Sequence, residues 1–228
     1  MVLRTLKPSA VLTATLLVAA CGSPQKPPPP IDEPATGTAE AEPPPPPKKC
    51  EALDEKCKAK SDTKARIGKM GFTMTPVEAW TYSQGETVLV AQKSDDGSAL
   101  AVTGYEIPAP ANAKQEGTNR DAAFEAAAKE INVTLPKKKP NWKKGDAAKD
   151  VGSLKINLWE MEGATRGEKK GLLLVFATSA PAAEGKGLIG LGFVPEDDAD
   201  AEKVGEALQT SIDSIKPAEE APAAEETK

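Results

Sequence analysis

Histidine is absent from the 228 residues, and aromatic residues make up only 4% of the chain. Without histidine, the commonest general base, the usual Ser-His catalytic arrangements and most zinc sites are excluded. No serine lies in a Gly-x-Ser-x-Gly sequence, and no glycine-rich loop precedes a predicted helix as in phosphate-binding proteins. We therefore expect no catalytic residues, no metal and no cofactor. A histidine-free enzyme, which would use a pair of carboxylates or a Ser or Lys beside another base, is the remaining catalytic alternative.

Long apolar segments are also missing, and the apolar run near the N-terminus is short. It extends from Ala10 to Val18 behind Arg4 and Lys7, and small residues precede Cys21. About 20 apolar residues are needed to cross a bilayer, so this run is too short to span one. A basic start, a short apolar run and small residues at its end are typical of an export signal. Residues 1–20 are therefore predicted to be a signal peptide.

The sequence Leu17-Val18-Ala19-Ala20-Cys21 resembles the lipobox of bacterial lipoprotein precursors. In that family the cysteine receives a diacylglycerol, so the resemblance implies that Cys21 is lipidated and anchors the protein in a lipid bilayer. Two or three acyl chains hold permanently, because each buried CH₂ contributes about 0.8 kcal/mol while one chain binds only marginally. Gly22-Ser23 follow the cysteine in place of the aspartate that retains some lipoproteins at the inner membrane. The expected location is the cell envelope, with the outer membrane favoured over the inner.

Residues 21–49 form a proline-rich segment without aromatic residues. Eleven of the 21 prolines lie here. This composition cannot bury a core and favours extended polyproline II, which rises about 3.1 Å per residue. We expect a disordered linker that holds the following domain away from the membrane, rather than a ligand for a proline-binding domain.

Cys50 and Cys57 remain once Cys21 is assigned to the anchor. The segment 50–67 is rich in Ala, Lys and Glu, which predicts a short helix bearing both cysteines. In a continuous helix their Cα atoms would lie about 10.5 Å apart, whereas a disulfide needs about 4.4 to 6.8 Å. A disulfide therefore requires Cys50 to fold back from outside the helix. Export to an oxidising compartment favours this disulfide over free thiols or an intermolecular bond.

Residues 68–216 are predicted to form the globular domain, because all nine aromatic residues lie within them. Alternating apolar residues and turn sequences predict two β-hairpins, one turning at Asp95-Asp96-Gly97 and one joining Leu154–Met161 to Leu172–Thr178. The apolar run 172–176 is expected in the middle of the sheet. Further strands are predicted at 72–75 and 188–194.

Helical spacing of apolar residues predicts two helices, one from Thr118 or Asn119 to Glu130 and one from Asp198 or Asp200 to Ile215. Strands joined mainly by hairpins, with two interspersed helices, predict an α+β fold with a mostly antiparallel sheet covered by the helices. The acidic run before the second helix lacks the frame of a calcium loop and is typical of a helix start. Residues 217–228 are expected to be a disordered acidic tail.

The sequence Phe72-Thr73-Met74-Thr75-Pro76, followed by Trp80, resembles the start of PsbP-like domains and of the DcrB and LpqN lipoproteins. The resemblance continues through a hairpin, a middle helix, further strands and a terminal helix that ends at Ile215. Ala79 stands where this family often has glycine. The resemblance implies a compact α+β sandwich, usually without known catalysis. On this basis we expect a non-catalytic domain that binds an unidentified protein or polymer of the cell envelope.

A basic loop, residues 137–144, carries five lysines and a tryptophan. Its candidate residues for binding an anion are Lys137, Lys138, Lys139, Trp142, Lys143 and Lys144. On a chain with a net charge of −5, this loop would attract an anionic glycan or lipid headgroup while the tryptophan stacks on a sugar or lies at the membrane interface. The opposite interpretation is that the lysines solubilise the loop and Trp142 folds into the core. Nucleic acid is not an expected partner of an acidic, exported chain.

Overall fold

The structure is a computed structural model, and it describes residues 50–183 and 185–218. The predicted signal peptide, Cys21, the proline-rich linker and residues 219–228 of the predicted tail lie outside the described residues. Within the described part, no helix combines the length and the apolar character that a membrane crossing requires.

Eleven strands and two helices make up the described part of the chain. In chain order they are β1 Ala65–Arg66, β2 Phe72–Met74, β3 Thr81–Gln84, β4 Val88–Gln92, β5 Ala99–Glu106, α1 Ala113–Glu130, β6 Val133–Thr134, β7 Ala147–Val151, β8 Leu154–Arg166, β9 Lys169–Thr178, β10 Lys186–Pro195, α2 Ala201–Asp213 and β11 Lys216–Pro217. The predicted fold class, α+β with a large antiparallel sheet and two helices, is confirmed.

Eight strands form one antiparallel sheet in the order β3-β4-β5-β10-β9-β8-β6, and β7 also pairs with β8. Both predicted hairpins are present, since β4 pairs with β5 and β8 pairs with β9. Strand β9 contains the apolar run 172–176 and lies between β10 and β8. Its place inside the sheet agrees with the prediction from its continuous hydrophobicity.

The two helices cover opposite faces of this sheet, because neighbouring residues of each strand point to opposite sides. On one face Leu173 and Val175 belong to the same apolar cluster as Phe124 of α1. On the other face Phe176 clusters with Leu208 of α2. A small sheet in the order β1-β2-β11 contributes to this second cluster. The molecule therefore has an α1 face and an α2 face.

The predicted helix over residues 50–67 is wrong. The Cα atoms of Cys50 and Cys57 lie 5.7 Å apart with their sulfurs in disulfide geometry, which a continuous helix of about 10.5 Å between these positions does not allow. The segment instead follows the edge strand β3, where the carbonyls of Cys57 and Cys50 accept hydrogen bonds from the amides of Tyr82 and Gln84. Backbone pairing along a sheet edge thus replaces helical pairing.

The folded unit extends beyond both predicted boundaries of 68 and 216. Ala65 and Ile67 are completely buried in the α2-face core. At the other end β11 pairs with β2, and the amide of Ala218 donates to the carbonyl of Gly71. Helix α1 also begins earlier than predicted, since the Asn112 side chain accepts a hydrogen bond from the Gln115 amide and caps the helix before Ala113. Helix α2 begins after Asp200, as predicted.

Candidate functional site

The tryptophan of the basic loop packs into the α1 face. Trp142 makes edge-to-face contacts with Phe124 and Trp159, at ring-centre distances of 5.6 and 5.1 Å. Its indole Nε1 donates a 2.7 Å hydrogen bond to Asp121 Oδ1 on α1, and the Nε1 of Trp159 donates to the carbonyls of Asn141 and Lys144. The ring and its polar atom are therefore both engaged within the fold, and stacking on a ligand would require the loop to rearrange.

One lysine of the loop is tied to α1. Lys139 Nζ lies 3.1 Å from Asp121 Oδ2 and 2.9 Å from Glu125 Oε1. Hydrogen bonding to Glu125 and then to Asp121 raises the pKa of Lys139 above its ordinary 10.5. Arg120 lies over the Tyr105 and Trp142 rings at 5.0 and 5.7 Å, which adds cation–π contacts to the same layer.

The remaining lysines of the loop, Lys137, Lys138, Lys143 and Lys144, are exposed. The structure thus divides the six predicted ligand-binding residues into two sets. Trp142 and Lys139 hold the loop against α1, while four ammonium groups remain on the surface. This arrangement matches the interpretation in which the loop is solubilised by lysines and held by its tryptophan.

The α2 face contains an apolar groove that the sequence did not reveal. The groove has a volume of about 270 Å³ and lies between α2 and strands β8 to β10. Its lining residues, which define the α2 groove, are Glu160, Leu172, Leu174, Val194, Pro195, Glu196, Ala201, Gly205, Leu208 and Gln209. Among the described residues the exposed large hydrophobic side chains are Leu53 and Leu172, and Leu172 lies in this groove at 36% exposure. The lining is therefore mainly apolar, and Leu172 is its most exposed hydrophobic side chain.

Small residues on α2 keep the groove open. Ala201 and Gly205 are four residues apart and so lie on the same side of the helix. A Cβ atom built on Gly205 would meet nothing within 4 Å. Glycine inside a helix costs about 0.5 to 1 kcal/mol relative to alanine. Gly117 in α1 likewise has free space beside it, but Gly205 lies in the lining of the α2 groove, so the lack of a side chain there leaves that wall of the groove open.

Gln209 lines the α2 groove and carries a buried hydrogen-bond donor. Its Nε2 atom is buried and has no hydrogen-bond partner among the described residues. A buried amide without a partner is unfavourable by about 1 to 3 kcal/mol. An occupant with a suitably placed oxygen would relieve this cost.

The acidic run before α2 stabilises the start of that helix. The Asp198 carboxylate accepts hydrogen bonds from the Asp200 amide, Lys93 and Ser98. The hydrogen bond from the Asp200 amide, followed by that from Lys93, holds the pKa of Asp198 below its ordinary 3.8. No group of carboxylates and cysteines in the described ranges is arranged to hold a metal ion. The run therefore fixes α2 against the β4–β5 hairpin.

Arg166 is a buried cation that the sequence analysis missed. It is 1% exposed, and its guanidinium donates to the carbonyls of Ile131, Ser94 and Gly97 and to the side chain of Gln92. Burial lowers its pKa from the ordinary 12.5, although Asp95 and Asp96 act in the opposite direction. These four acceptors join the end of α1 to the β4–β5 turn, so Arg166 supports the fold between the two helix layers.

Comparison of the chain with protein-family models and with curated proteins gives no match. Two surfaces stand out in the geometry of this chain, the four exposed lysines and the α2 groove. Of these, the groove combines open apolar surface with an unpaired polar group, which is the usual composition of a binding site.

Proposed function

We propose that the protein is a lipoprotein of the bacterial cell envelope whose folded domain binds a partner there and catalyses no reaction. In this proposal acylated Cys21 inserts into the bilayer, residues 21–49 form a proline-rich spacer, and the domain is of the PsbP-like type. The outer membrane is the proposed site. The anchoring role is supported by the lipobox at residues 17–21 and by the basic and apolar residues before it.

The observation that carries the binding role is the α2 groove. It brings together exposed Leu172, the open space beside Gly205 and the unpaired Nε2 of Gln209. Exposed apolar surface beside unpaired polar groups is favourable to bury against a partner. A non-catalytic role is further supported by the absence of histidine from the sequence.

The anchoring role is tested with Cys21→Ser, with Ser23→Ala as the matched control. The wild-type protein and Ser23→Ala should fractionate with membranes, and mass spectrometry of the mature N-terminal peptide should show acyl chains on Cys21. Cys21→Ser should carry no acyl chains and should leave the membrane fraction. A Cys21→Ser protein that still carries acyl chains would contradict the proposal.

A second candidate function is binding of an anionic glycan or lipid headgroup by the basic loop, favoured by the exposure of Lys137, Lys138, Lys143 and Lys144. The test uses the full chain with Cys21→Ser, so that acyl chains do not cause binding, and vesicles of phosphatidylglycerol at low salt. Alanine at all four positions should abolish binding if this candidate is correct. Alanine at four exposed lysines outside the loop, Lys56, Lys58, Lys60 and Lys155, gives the same change in charge as a control. Equal binding by the two variants rejects the candidate.

A further inference from the structure

We infer that the α2 groove binds a peptide segment of a partner protein in which a bulky apolar side chain is flanked by lysine or arginine. This inference rests on the proposed binding function and adds the chemistry of the partner. Three properties of the groove carry it: its apolar centre, its unpaired amide donor and its acidic rim.

The apolar centre selects a side chain of moderate size. Leu172 and Leu174 come from the same face of β9, and Leu208 closes the groove from α2. The space beside Gly205 is empty. A groove of about 270 Å³ accommodates one or two aliphatic or aromatic side chains with the backbone that carries them, whereas a large hydrophobic face would be expected for a stable second copy of the domain.

The amide donor selects an occupant with an oxygen atom inside the groove. Gln209 Nε2 is buried and has no partner among the described residues. A backbone carbonyl beside the bulky side chain would accept its hydrogen bond once the amide turns toward the groove, as in other complexes where peptide backbone supplies part of the recognition. An acyl chain has no acceptor along its length and would leave this donor unpaired.

The rim of the groove selects positive charge. The ionisable residues in the lining are Glu160 and Glu196, both exposed. On α2 the exposed Glu202 and Glu206 precede Gln209 by seven and three residues, which places them on the same side of the helix.

Basic residues near the groove do not balance this acidic rim. Lys170 lies two residues before Leu172 on the same face of β9, and Lys149 at the far end is paired with Asp213. Lys203 on α2 is paired with Asp200. Among these described residues the four carboxylates therefore outnumber Lys170. An excess of carboxylates attracts basic residues and repels the phosphate of an anionic lipid.

The test is selection of a random dodecapeptide phage library on the immobilised full chain, followed by synthesis of the most enriched peptide. We expect enriched peptides to carry a net positive charge and a Leu, Ile, Phe or Met next to Lys or Arg. The synthetic peptide should bind Gly205→Leu at least about tenfold more weakly, because leucine fills the groove. Gly205→Leu should fold, since its Cβ enters empty space, and thermal unfolding checks this.

Two matched substitutions separate the groove from general effects. Leu172→Ala should weaken peptide binding, whereas Leu53→Ala, which truncates the other exposed leucine, should not. Gln209→Glu should also weaken binding, because it removes the donor while keeping the shape. If charge alone were responsible, the added carboxylate would strengthen binding of a basic peptide.

The possible failures of this experiment are distinguishable. Enriched peptides that are acidic, or that bind wild type and Gly205→Leu equally, would overturn the inference and leave the proposed binding function intact. Binding of phosphatidylglycerol vesicles by the Cys21→Ser chain that disappears in Gly205→Leu would assign the groove to lipid and would also overturn it. If the wild-type chain enriched no peptide, the inference would be overturned, whereas the proposed binding function, which includes partners other than peptides, would not be.

Discussion

The two faces of the large sheet are covered to different extents. On the α1 face the basic loop folds back, and Trp142 packs between Phe124 and Trp159. On the α2 face no comparable side chain among residues 50–183 and 185–218 fills the space beside Gly205, and Leu172 remains partly exposed. The basic loop, which stands out in the sequence, therefore packs against the fold. Helix α2, which does not stand out in the sequence, borders the candidate site.

This difference separates a closely packed face of the sheet from a face that retains an open groove. The α1 face carries aromatic packing, cation–π contacts and the ion pairs of Lys139. The α2 face instead carries the groove, which is lined by the partly exposed Leu172 and by Gly205. Substitutions on the first face should mainly change stability, and substitutions on the second should mainly change binding.

The largest expected effect on stability is that of Trp142→Ala. Complete burial of a tryptophan would make this substitution cost about 3 to 5 kcal/mol, and the half-buried position of Trp142 indicates the lower end, about 3 kcal/mol. Leu172→Ala on the open face should cost less than about 1 kcal/mol, since its side chain is already partly in water. Urea denaturation measures both free energies of unfolding. Similar losses for the two variants would contradict the proposed difference between the faces.

Two glycines on the α2 face should respond to alanine in opposite directions. A Cβ on Gly190 would lie 2.3 Å from Phe176 Cζ, so Gly190→Ala should lower the free energy of unfolding by about 1 to 3 kcal/mol. Gly205→Ala enters empty space and should raise it by about 0.5 to 1 kcal/mol through helix propensity. Thermal unfolding of Gly190→Ala and Gly205→Ala, each compared with wild type, measures the two changes in stability. A destabilised Gly205→Ala would show that the space beside Gly205 is not open.

The smallest expected effects on stability are those of Asp198 and Lys139, and they disappear at opposite ends of the pH range. Asp198, whose pKa is held below 3.8, should stabilise the α2 layer above that pH and lose its contribution as the pH falls through its lowered value. Lys139, whose pKa is raised above 10.5, should stabilise the α1 layer below that pH and lose its contribution as the pH rises through its raised value.

Thermal unfolding across pH tests this pair with Asp198→Asn and Lys139→Gln. Asp198→Asn should be less stable than wild type at neutral pH by under about 1 kcal/mol, and the two proteins should converge in strong acid. The thermal stability of Lys139→Gln should instead become equal to that of wild type in strong base. A stability difference between Asp198→Asn and wild type that persists in strong acid, or one for Lys139→Gln that persists in strong base, would refute the stabilisation assigned to these charges.

Local sequence signals were sufficient to predict the hairpins. Asp95-Asp96-Gly97 marks the turn between β4 and β5, and the apolar run 172–176 marks an interior strand. The start of α1 was not predicted, because Asn112, Thr118 and Asn119 are all good capping residues. Asn112 caps the helix, while the Asn119 side chain donates to the carbonyl of Glu106. A contact with a strand distant in sequence therefore decides between local alternatives.

Arg166 and the α2 groove could not be predicted from local sequence patterns for the same reason, because both depend on contacts between distant segments of the chain. The acceptors of Arg166 come from separate segments of the chain, and no periodicity in β8 distinguishes it from an exposed arginine. The α2 groove exists only where α2 lies over β9, and its one sequence signal is Gly205 inside an amphipathic helix. The basic loop was conspicuous in sequence, but its role depends on how Trp142 packs against α1.

The most direct test of the central claim, that binding belongs to the α2 face, compares two variants against the dodecapeptide enriched on the full chain. Isothermal titration calorimetry measures its dissociation constant for Gly205→Leu and for the variant with alanine at Lys137, Lys138, Lys143 and Lys144. We predict a loss of at least about tenfold for Gly205→Leu and a change within about threefold for the lysine variant. The reverse order, with binding lost from the lysine variant and retained by Gly205→Leu, would contradict the claim.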